Sequence, residues 1–360
     1  MSRVWDIPVH DSTRVRDVRV AAEQASSHAH LDAHRTAVAA LVATELATNL
    51  LKHAGGGRIV INLVDGPPVD GGTNGSSVQF VCLDHGPGIT DIARALRDGY
   101  TTASASLGAG LGTCLRISSD FDLHSAPGRG VVAVARIDPA PHVQQASPHQ
   151  PRPTPRTGGV NISLAHADRS GDAWSCVHSG TRLSLMLADG LGHGTHAAEA
   201  SGAAVRELRH TGDLPPAEIL RHLDTALRRT RGAAVAVAQL DTDTGRLHFA
   251  GVGNIGARLH TEGTWQPLVS HPGIVGAHFP ATVPLQQKPW GPDSLLVLHS
   301  DGLPSRWTPP DDPRLLAQNP AVIASVILRD ASSAARPVRD DTSVAVLAPD
   351  RRTCAHDRRP

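Results

Sequence analysis

Four aspartates stand where apolar, strand-like segments of the sequence end, and carboxylates in such positions could bind metal ions. They are Asp172 in ADRSGDAWS, Asp189 in LMLADGLGHG, Asp301 in LLVLHSDGLPS, and either Asp340 or Asp341 in RDDTSVAVLAP. One aspartate at a strand end is commonly a turn residue, but four such sites, two of them followed by Gly-Leu, are too many for turns alone. Carboxylates without cysteines or paired histidines suit hard cations such as Mg²⁺ or Mn²⁺.

A second group of polar residues lies earlier, where the spacing of apolar residues predicts a helix. Segment 34–57 carries valines and leucines at helical spacing and ends in three glycines. Within it, Glu45, Asn49 and His53 follow one another at intervals of four residues, which places them on one face of the helix. A polar stripe of this kind is most often a solvent-exposed surface, but the residues that follow favour a ligand site.

Glycine-containing motifs at two later positions favour the binding of a nucleotide. A predicted strand, 77–84, ends in DHGPGI, and a helical pattern opens after SLGAGLG. Glycines directly before a helix let backbone N–H groups approach phosphate oxygens, and the helix dipole favours the negative charge. The residues concerned are Asp84, Gly86 and Gly88 in the first motif, and Gly108, Gly110 and Gly112 in the second.

The order of these motifs, E-x-x-x-N, D-x-G-x-G and G-x-G-x-G followed by SAPGRG, resembles the ATP-binding domain of the gyrase, heat-shock-chaperone, histidine-kinase and MutL (GHKL) superfamily. Within that superfamily it is most similar to the anti-sigma and switch serine/threonine kinases of bacterial stress signalling. The resemblance covers about Val9–Ile137. It implies a GHKL (Bergerat) α/β sandwich that binds ATP and Mg²⁺.

The resemblance also implies a role for each motif residue. Asn49 would hold the Mg²⁺ that bridges the phosphates, and Glu45 would be the base that takes a proton from the substrate hydroxyl. Asp84 would accept a hydrogen bond from the adenine amino group. The glycines would let the purine lie against backbone (Gly86 and Gly88) and form a phosphate lid (Gly108, Gly110 and Gly112).

The aspartate motifs of the second half, S-G-D, D-G-L-G-H-G, S-D-G-L and D-D-T-S, resemble the PPM-type metal-dependent serine/threonine phosphatases. They are most similar to the SpoIIE-like branch that dephosphorylates anti-sigma antagonists. The segments FAGVGNIGARL (249–259) and HPGIVG (271–276) lie at the places expected for that family. The resemblance covers about Gly159–Pro349 and implies an αββα sandwich, two antiparallel sheets flanked by helices, with metals between the sheets.

The phosphatase resemblance implies a set of metal ligands as well. Asp189 would bridge two cations, Mg²⁺ or Mn²⁺, that acidify a shared water and neutralise phosphoryl oxygens for in-line attack. In DDTS, Asp340 is favoured over Asp341 because the first aspartate is the ligand in the family. The glycines after Asp189 would keep side chains away from the metals, and His193 is interpreted as a turn residue. The implied ligands are Asp172, Asp189, the Gly190 carbonyl, Asp301 and Asp340.

A segment rich in proline and polar residues divides the chain. It reads PAPHVQQASPHQPRPTPRTGG and has no apolar periodicity, which is typical of a semi-rigid linker. We therefore expect a first domain over residues 1–138, a linker over 139–158, a second domain over 159–349 and a frayed tail over 350–360.

Composition limits the classes of partner. The 34 basic and 34 acidic residues balance, so neither nucleic acid nor an anionic membrane is an expected partner. No stretch approaches the roughly 18 to 20 apolar residues of a membrane span. The scattered cysteines indicate reduced thiols, and His28, His30 and His34 lack the ligands that would complete a tetrahedral zinc site. These features predict a soluble cytoplasmic protein.

Both resemblances lead to one functional hypothesis, a bifunctional regulator of bacterial stress signalling. An ATP-dependent serine/threonine kinase domain would be fused to a metal-dependent phosphoprotein phosphatase domain. The implied partners are STAS-domain anti-sigma antagonists or stressosome-like phosphoproteins, with a sigma factor as a further candidate. The alternative is a phosphatase whose first domain binds nucleotide and partner without transferring phosphate.

Overall fold

The computed structural model describes residues 3–68, 74–96, 110–139, 155–304, 306–331 and 338–350. The chain separates into two compact units, and each is described by itself. Among the described residues, no helix combines the length and the apolar character needed to cross a membrane.

The first unit is one antiparallel sheet covered by helices on one face. Its strands lie in the order β1-β2-β3-β5-β4. Asp32 caps the second helix by accepting a hydrogen bond from the Arg35 backbone N–H at 2.7 Å. In sequence order the elements are β1 (Val4–Val9), α1 (Thr13–His28), α2 (Ala33–Asn49), a π-helical turn (Leu50–Ala54), β2 (Gly57–Pro68), β3 (Asn74–Leu83), α3 (Ile92–Ala95), α4 (Gly110–Ile117), β4 (Asp120–Ala126) and β5 (Gly130–Ile137).

The core of this unit lies between the sheet and helices α1 and α2. Alternate strand residues, such as Ile59 and Ile61 of β2, turn toward the helices because side chains alternate along a strand. On the helical side, alanines together with Val42 and Leu46 fill the same cluster. The small alanines let α2, the helix that carries Glu45 and Asn49, pack closely on the sheet.

The second unit contains two five-stranded antiparallel sheets. Their strand orders are β13-β10-β9-β8-β7 and β12-β11-β14-β15-β6. The strands are β6 (Arg156–Ile162), β7 (Asp172–Ser179), β8 (Arg182–Gly190), β9 (Ala233–Asp241), β10 (Arg246–Val252), β11 (Gly256–Thr261), β12 (Thr264–Leu268), β13 (Gln286–Pro289), β14 (Leu295–His299) and β15 (Thr342–Ala348). The helices are a 3₁₀ turn (Leu164–His166), α5 (Thr195–Thr211), α6 (Pro216–Leu227), α7 (Pro313–Leu316) and α8 (Pro320–Ala331).

Strand β8 separates two apolar layers of this unit. Leu185 and Leu187 pack into the core between the sheets, with Phe249 of β10 and Leu298 of β14. The intervening residues, such as Met186, pack on the opposite face against α5 and α6. Helix α8 lies on β6 and β15 of the other sheet. The layers therefore run helix, sheet, sheet, helix, as expected for an αββα sandwich.

One domain boundary differs from the sequence prediction. Strand β6 begins at Arg156 and pairs with β15 as far as Ala348, so the end of the predicted linker, 156–158, belongs to the second unit. The predicted linker ended at Gly158, whereas pairing with β15 places Arg156, Thr157 and Gly158 in β6. A Cβ at Gly158 would lie 3.0 Å from the Ala321 side chain, so α8 packs closely against this strand.

Candidate functional site

The first unit contains a cavity of about 330 Å³ beside the end of α2. Its apolar walls include Leu46 and Leu50 of α2 and the π turn, together with Cys82 of β3. Burial raises the pKa of the Cys82 thiol well above its ordinary value, so this wall stays uncharged. The predicted site residues among those that line it are Asn49, Asp84, Gly88 and Gly110.

Asp84 is fixed at one end of this cavity. Its Oδ1 accepts hydrogen bonds from the backbone N–H groups of Gly86, at 2.8 Å, and Val131, at 3.1 Å. The carboxylate is 95 % buried, with 5 % exposure, and these two donors hold it in one orientation. Oδ2 is left to accept a hydrogen bond from a ligand. Gly86 is required here because a Cβ would lie 2.8 Å from the Ala54 backbone.

Glu45, Asn49 and the start of α4 meet at another part of the cavity. A Cβ at Gly110 would lie 3.2 Å from both amide atoms of Asn49 and 3.5 Å from Glu45 Oε2. Asn49 Nδ2 is buried without a hydrogen-bond partner among the described residues. A buried amide NH₂ without a partner fits a ligand that supplies an acceptor, such as a phosphate oxygen. The amide oxygen of the same side chain is the atom that could bind Mg²⁺, so these residues suit a nucleotide with its cation.

The helix that carries these residues changes form directly after Asn49. The π-helical turn Leu50–Ala54 follows, and π turns within helices occur frequently at functional sites. Asn49 and His53 both line the cavity. The sequence indicated the shared helix face but not the π turn.

The glycine-rich motif is placed only in part. Gly110 and Gly112 lie in the first turn of α4 rather than before it, and Gly112 is buried. Gly108 lies outside the described residues. Gly88 has φ of +76°, and a Cβ there would contact the Ala126 carbonyl at 2.5 Å. Its role is therefore to permit a close turn at the rim of the cavity.

In the second unit, Asp172 and Asp189 stand directly opposite each other in the β7–β8 ladder. Asp172 is fully buried. Its pKa is raised well above the ordinary value by burial first and by Asp189 next, and the Ser300 hydroxyl offsets part of this rise. The pKa of Asp189 is raised to about 7 by burial and by the charges of Asp301 and Asp340.

These carboxylates approach one region from both sheets. Asp301 follows β14 and Asp340 precedes β15, which pair with each other in the other sheet. Among the described residues, however, no three aspartate, glutamate, histidine or cysteine side chains are arranged so that they could hold one metal ion. The carboxylates share a region without forming a coordination shell.

The donor set nevertheless fits a hard divalent cation. Both carboxylate oxygens of Asp172 are buried, and in the described part of the chain no donor, the nearby Ser300 hydroxyl included, meets them in full hydrogen-bonding geometry. Burial of such a carboxylate is costly. All the side chains concerned offer oxygen atoms, which Mg²⁺ and Mn²⁺ prefer. A cation would offset both the burial of Asp172 and its repulsion from Asp189.

The structure distinguishes the two aspartates of DDTS. Asp341 is 4 % exposed, and its two carboxylate oxygens accept the backbone N–H groups of Leu164 and Gly171, each at 2.7 Å. Asp340 is exposed, and it contributes to the raised pKa of Asp189 and of Asp301. Asp341 is therefore occupied by backbone groups, whereas Asp340 has a carboxylate available to a ligand.

The turn after Asp189 brings backbone close to the carboxylates. The Gly190 N–H donates to the Gly171 carbonyl at 3.1 Å, which ties the end of β8 to the start of β7. A Cβ at Gly190 would overlap the Ala197 carbonyl of α5. Gly192 and Gly194 have φ of +85° and +78°, so the turn needs glycine at these positions. His193, between them, is exposed.

One polar residue at this site was missed by the sequence analysis. Asn254, in the segment GVGNIG, donates through Nδ2 to Asp301 Oδ2 at 2.7 Å and so orients that carboxylate. The segment 271–276 packs beneath it, since the Gly253 N–H donates to the His271 carbonyl at 2.8 Å. A polar residue between two glycines at the end of a strand was the available signal.

Two family models match the chain. Residues 9–136 match the histidine kinase-like ATPase domain, and residues 179–350 match Stage II sporulation protein E (SpoIIE). The first range contains the whole candidate nucleotide site, and the second contains every candidate metal ligand except Asp172. The chain thus joins an N-terminal histidine kinase-like ATPase domain to a C-terminal SpoIIE PP2C-type phosphatase domain.

Individual relatives are similar to one domain or the other. The serine/threonine-protein kinase RsbT of Bacillus subtilis is 40% identical over 87 residues, which are 24% of this chain and 60% of that kinase. The chain thus spans about three fifths of the length of this relative.

Solved structures with similar folds include a bacterial stressosome protein, which is 26% identical over 54% of this chain and 99% of that chain, with a TM-score of 0.48. RsbX in complex with magnesium is 19% identical over 55% of this chain and 100% of that chain, with a TM-score of 0.46. The phosphatase domain of SpoIIE from Bacillus subtilis is 17% identical over 59% of this chain and 99% of that chain, with a TM-score of 0.43.

We predict that Asn49→Ala and Asp84→Asn each weaken ATP binding by about tenfold or more, because each removes a polar contact from a buried cavity. Glu45→Ala is expected to bind ATP with normal affinity. Isothermal titration calorimetry on the full chain measures the three affinities. Thr48→Ala is the matched control, since Thr48 neighbours Asn49 but bonds to the Thr44 carbonyl of its own helix. Normal ATP affinity in both Asn49→Ala and Asp84→Asn would show that this cavity is not the ATP site.

We also predict opposite effects for the two aspartates of DDTS. Asp341→Asn should lower the free energy of unfolding by about 1–3 kcal/mol, because one of the two backbone N–H groups then faces an amide NH₂. Asp340→Asn should leave stability unchanged and weaken Mn²⁺ binding. Urea unfolding followed by tryptophan fluorescence and Mn²⁺ titration measure the two effects. The reverse pattern would assign the ligand to Asp341.

Proposed function

We propose that this chain is a bifunctional regulator of a partner-switching pathway, with a phosphoprotein serine/threonine phosphatase domain and an ATP-dependent kinase domain. The observation that carries the phosphatase proposal is the opposed pair Asp172 and Asp189, with Asp301 and Asp340 near enough to raise the pKa of Asp189. The SpoIIE match over 179–350 supports the same activity. The substrates proposed are STAS-domain anti-sigma antagonists or stressosome-like phosphoproteins.

In the phosphatase domain, Asp172, Asp189, Asp301, Asp340 and the Gly190 carbonyl would hold Mg²⁺ or Mn²⁺. Such cations supply, when bound, an acidified water and positive charge for phosphoryl oxygens. The residues of the chain itself would fix the positions of the carboxylates. Asn254 fixes one oxygen of Asp301, and the β7–β8 ladder sets Asp172 opposite Asp189. Asp341 joins the start of β15 to the turn before β7, so the carboxylates keep their relative places.

In the ATPase domain, Asp84 would bind the adenine amino group and Asn49 the Mg²⁺ of the nucleotide. Glu45 would accept the proton of a serine or threonine hydroxyl on the partner. The approach of Glu45 and Asn49 to the start of α4 supports this arrangement. The similarity to RsbT, a serine/threonine-protein kinase, supports the choice of phosphate transfer to protein.

A second reading of the ATPase domain is a nucleotide-gated docking module without transfer activity. It keeps the roles of Asn49 and Asp84 and gives Glu45 none. The position of Glu45 beside Asn49 favours the kinase reading, because a binding module has no need of a carboxylate next to the phosphates.

The phosphatase proposal predicts that Asp189→Asn reduces hydrolysis of p-nitrophenyl phosphate by orders of magnitude. The substitution keeps the shape of the side chain and removes a charge shared by the proposed cations, so excess Mn²⁺ should restore little. Asp293→Asn is the matched control, because Asp293 is an exposed aspartate at the opposite end of β14. ATP affinity should stay unchanged in both. Near-normal, metal-dependent hydrolysis by Asp189→Asn would show that Asp189 is a turn residue and not a metal ligand.

The kinase proposal predicts that the full chain carrying Asp189→Asn transfers label from ATP to a STAS-domain protein, since the product is then protected from hydrolysis. Adding Glu45→Ala should abolish the label while ATP binding persists. Mass spectrometry should place the phosphate on serine or threonine. Nucleotide-dependent binding of the STAS protein without any label would favour the docking module.

A further inference from the structure

Arg231 lies at the edge of the carboxylate site, in the loop between α6 and β9. Asp189 pairs with Ala234 in the β8–β9 ladder, and the Leu191 N–H donates to the Gly232 carbonyl at 3.0 Å just beyond it. One guanidinium nitrogen of Arg231 lies 3.2 Å from the point where a Cβ on Gly192 would stand. The guanidinium therefore lies against the turn that follows Asp189.

The loop that carries Arg231 is held by its own hydrogen bonds. Thr230 donates through its N–H and its hydroxyl to the Leu227 carbonyl, at 2.8 and 2.7 Å. The Gly232 N–H donates to the Thr230 hydroxyl at 3.0 Å. Gly232 has φ of +84°, and a Cβ there would lie 2.8 Å from the Ile274 side chain. The backbone on both sides of Arg231 is thereby fixed, and its side chain starts from a defined position.

The guanidinium of Arg231 is exposed and forms no ion pair or hydrogen bond within the described part of the chain. Its neighbour Arg228, by contrast, pairs with Asp224 at 3.3 Å. Arg229 is exposed as well, but no contact with the turn at Gly192 is recorded for it. Arg231 is thus the arginine of this loop that combines a free guanidinium with a place beside the candidate active site.

We propose that Arg231 binds the phosphate group of the phosphorylated serine or threonine substrate. The inference rests on the proposed phosphatase function, in which a phosphate group binds beside a cluster of carboxylates and a further positive charge next to that cluster favours its binding. The planar guanidinium offers paired N–H donors that match two phosphate oxygens. Gly192 has no side chain that would separate the guanidinium from this turn. Arg231 would therefore hold the phosphate beside the turn that follows Asp189.

The test compares Arg231→Ala and Arg231→Lys with the matched control Arg229→Ala, all in the full chain with Mn²⁺. For p-nitrophenyl phosphate, we expect KM of Arg231→Ala to rise about tenfold, with a much smaller change in kcat, because loss of one charge-assisted contact weakens binding by roughly that factor. The affinity for inorganic phosphate, measured by calorimetry, should fall by a similar factor. Lysine keeps the charge but not the paired donors, so it should recover part of the affinity. Arg229→Ala should match the wild type.

Each outcome decides one of the two proposals. Unchanged KM and phosphate affinity in Arg231→Ala, with an active wild type, overturns the role of Arg231 and leaves the phosphatase proposal standing. Suppose that the wild type hydrolyses no substrate but binds phosphate, and that only Arg231→Ala loses this binding. That result refutes the phosphatase proposal and supports a phosphate site at Arg231. No measurable phosphate binding by the wild type, or an equal loss in Arg229→Ala, contradicts the assignment to Arg231.

Discussion

The architecture of the second domain depends on holding several carboxylates close together although they repel one another. Asp172 is completely buried opposite Asp189, and the pKa of Asp189 is raised to about 7 by burial and by Asp301 and Asp340. Left to themselves, these groups would separate or move into solvent. The positions are kept by the apolar core between the two sheets, in which Leu187 packs with Phe249.

The connection from the core to the site runs through backbone hydrogen bonds. Asp341 receives the N–H groups of Leu164 and Gly171, and the Gly171 carbonyl receives the N–H of Gly190. One buried carboxylate thus links the starts of β7 and β15 to the end of β8. This explains why the second aspartate of DDTS is needed without being a candidate ligand, since its charge is satisfied by backbone donors.

The sequence predicted that the candidate carboxylates lie where apolar strands end. In the structure Asp189 lies near the end of β8 and Asp301 follows β14, whereas Asp172 begins β7 and Asp340 precedes β15. Their role as metal ligands stays a prediction. The αββα layers followed from the family resemblance and are observed, as in the alternation of Leu185 and Met186 to opposite faces of β8. The choice of Asp340 over Asp341 stays a prediction, which the exposure of Asp340 supports.

What the sequence could not predict depends on contacts between residues distant along the chain. Asn254 reaches Asp301 across 47 positions, and Arg231 reaches Gly192 across the β8–β9 pairing. No local pattern marks Arg231, and the glycines around Asn254 indicate a turn without indicating which carboxylate it contacts. The π turn after Asn49 is also unpredicted, because a single extra residue in a helical turn changes little in the apolar spacing. The end of the linker at Arg156 was missed because pairing with β15 decides it.

The two candidate sites differ in how their charged groups are arranged. Around the first cavity, one carboxylate, Asp84, is oriented by backbone N–H groups, and the Cys82 thiol nearby is kept neutral by burial. The second site concentrates negative charge. Each nevertheless keeps buried polar atoms that have no hydrogen-bond partner among the described residues, the amide nitrogen of Asn49 in one and the carboxylate oxygens of Asp172 in the other.

Buried polar groups without partners reduce the stability of the unliganded fold, because they lose their hydrogen bonds to water and gain none within the protein. A ligand that binds only the folded form stabilises it by an amount that grows with the logarithm of the ligand concentration above Kd. Nucleotide and divalent cation would therefore each stabilise a different domain. The groups that lack partners differ in kind, since the amide nitrogen of Asn49 needs an acceptor and the carboxylate of Asp172 needs a cation or a donor.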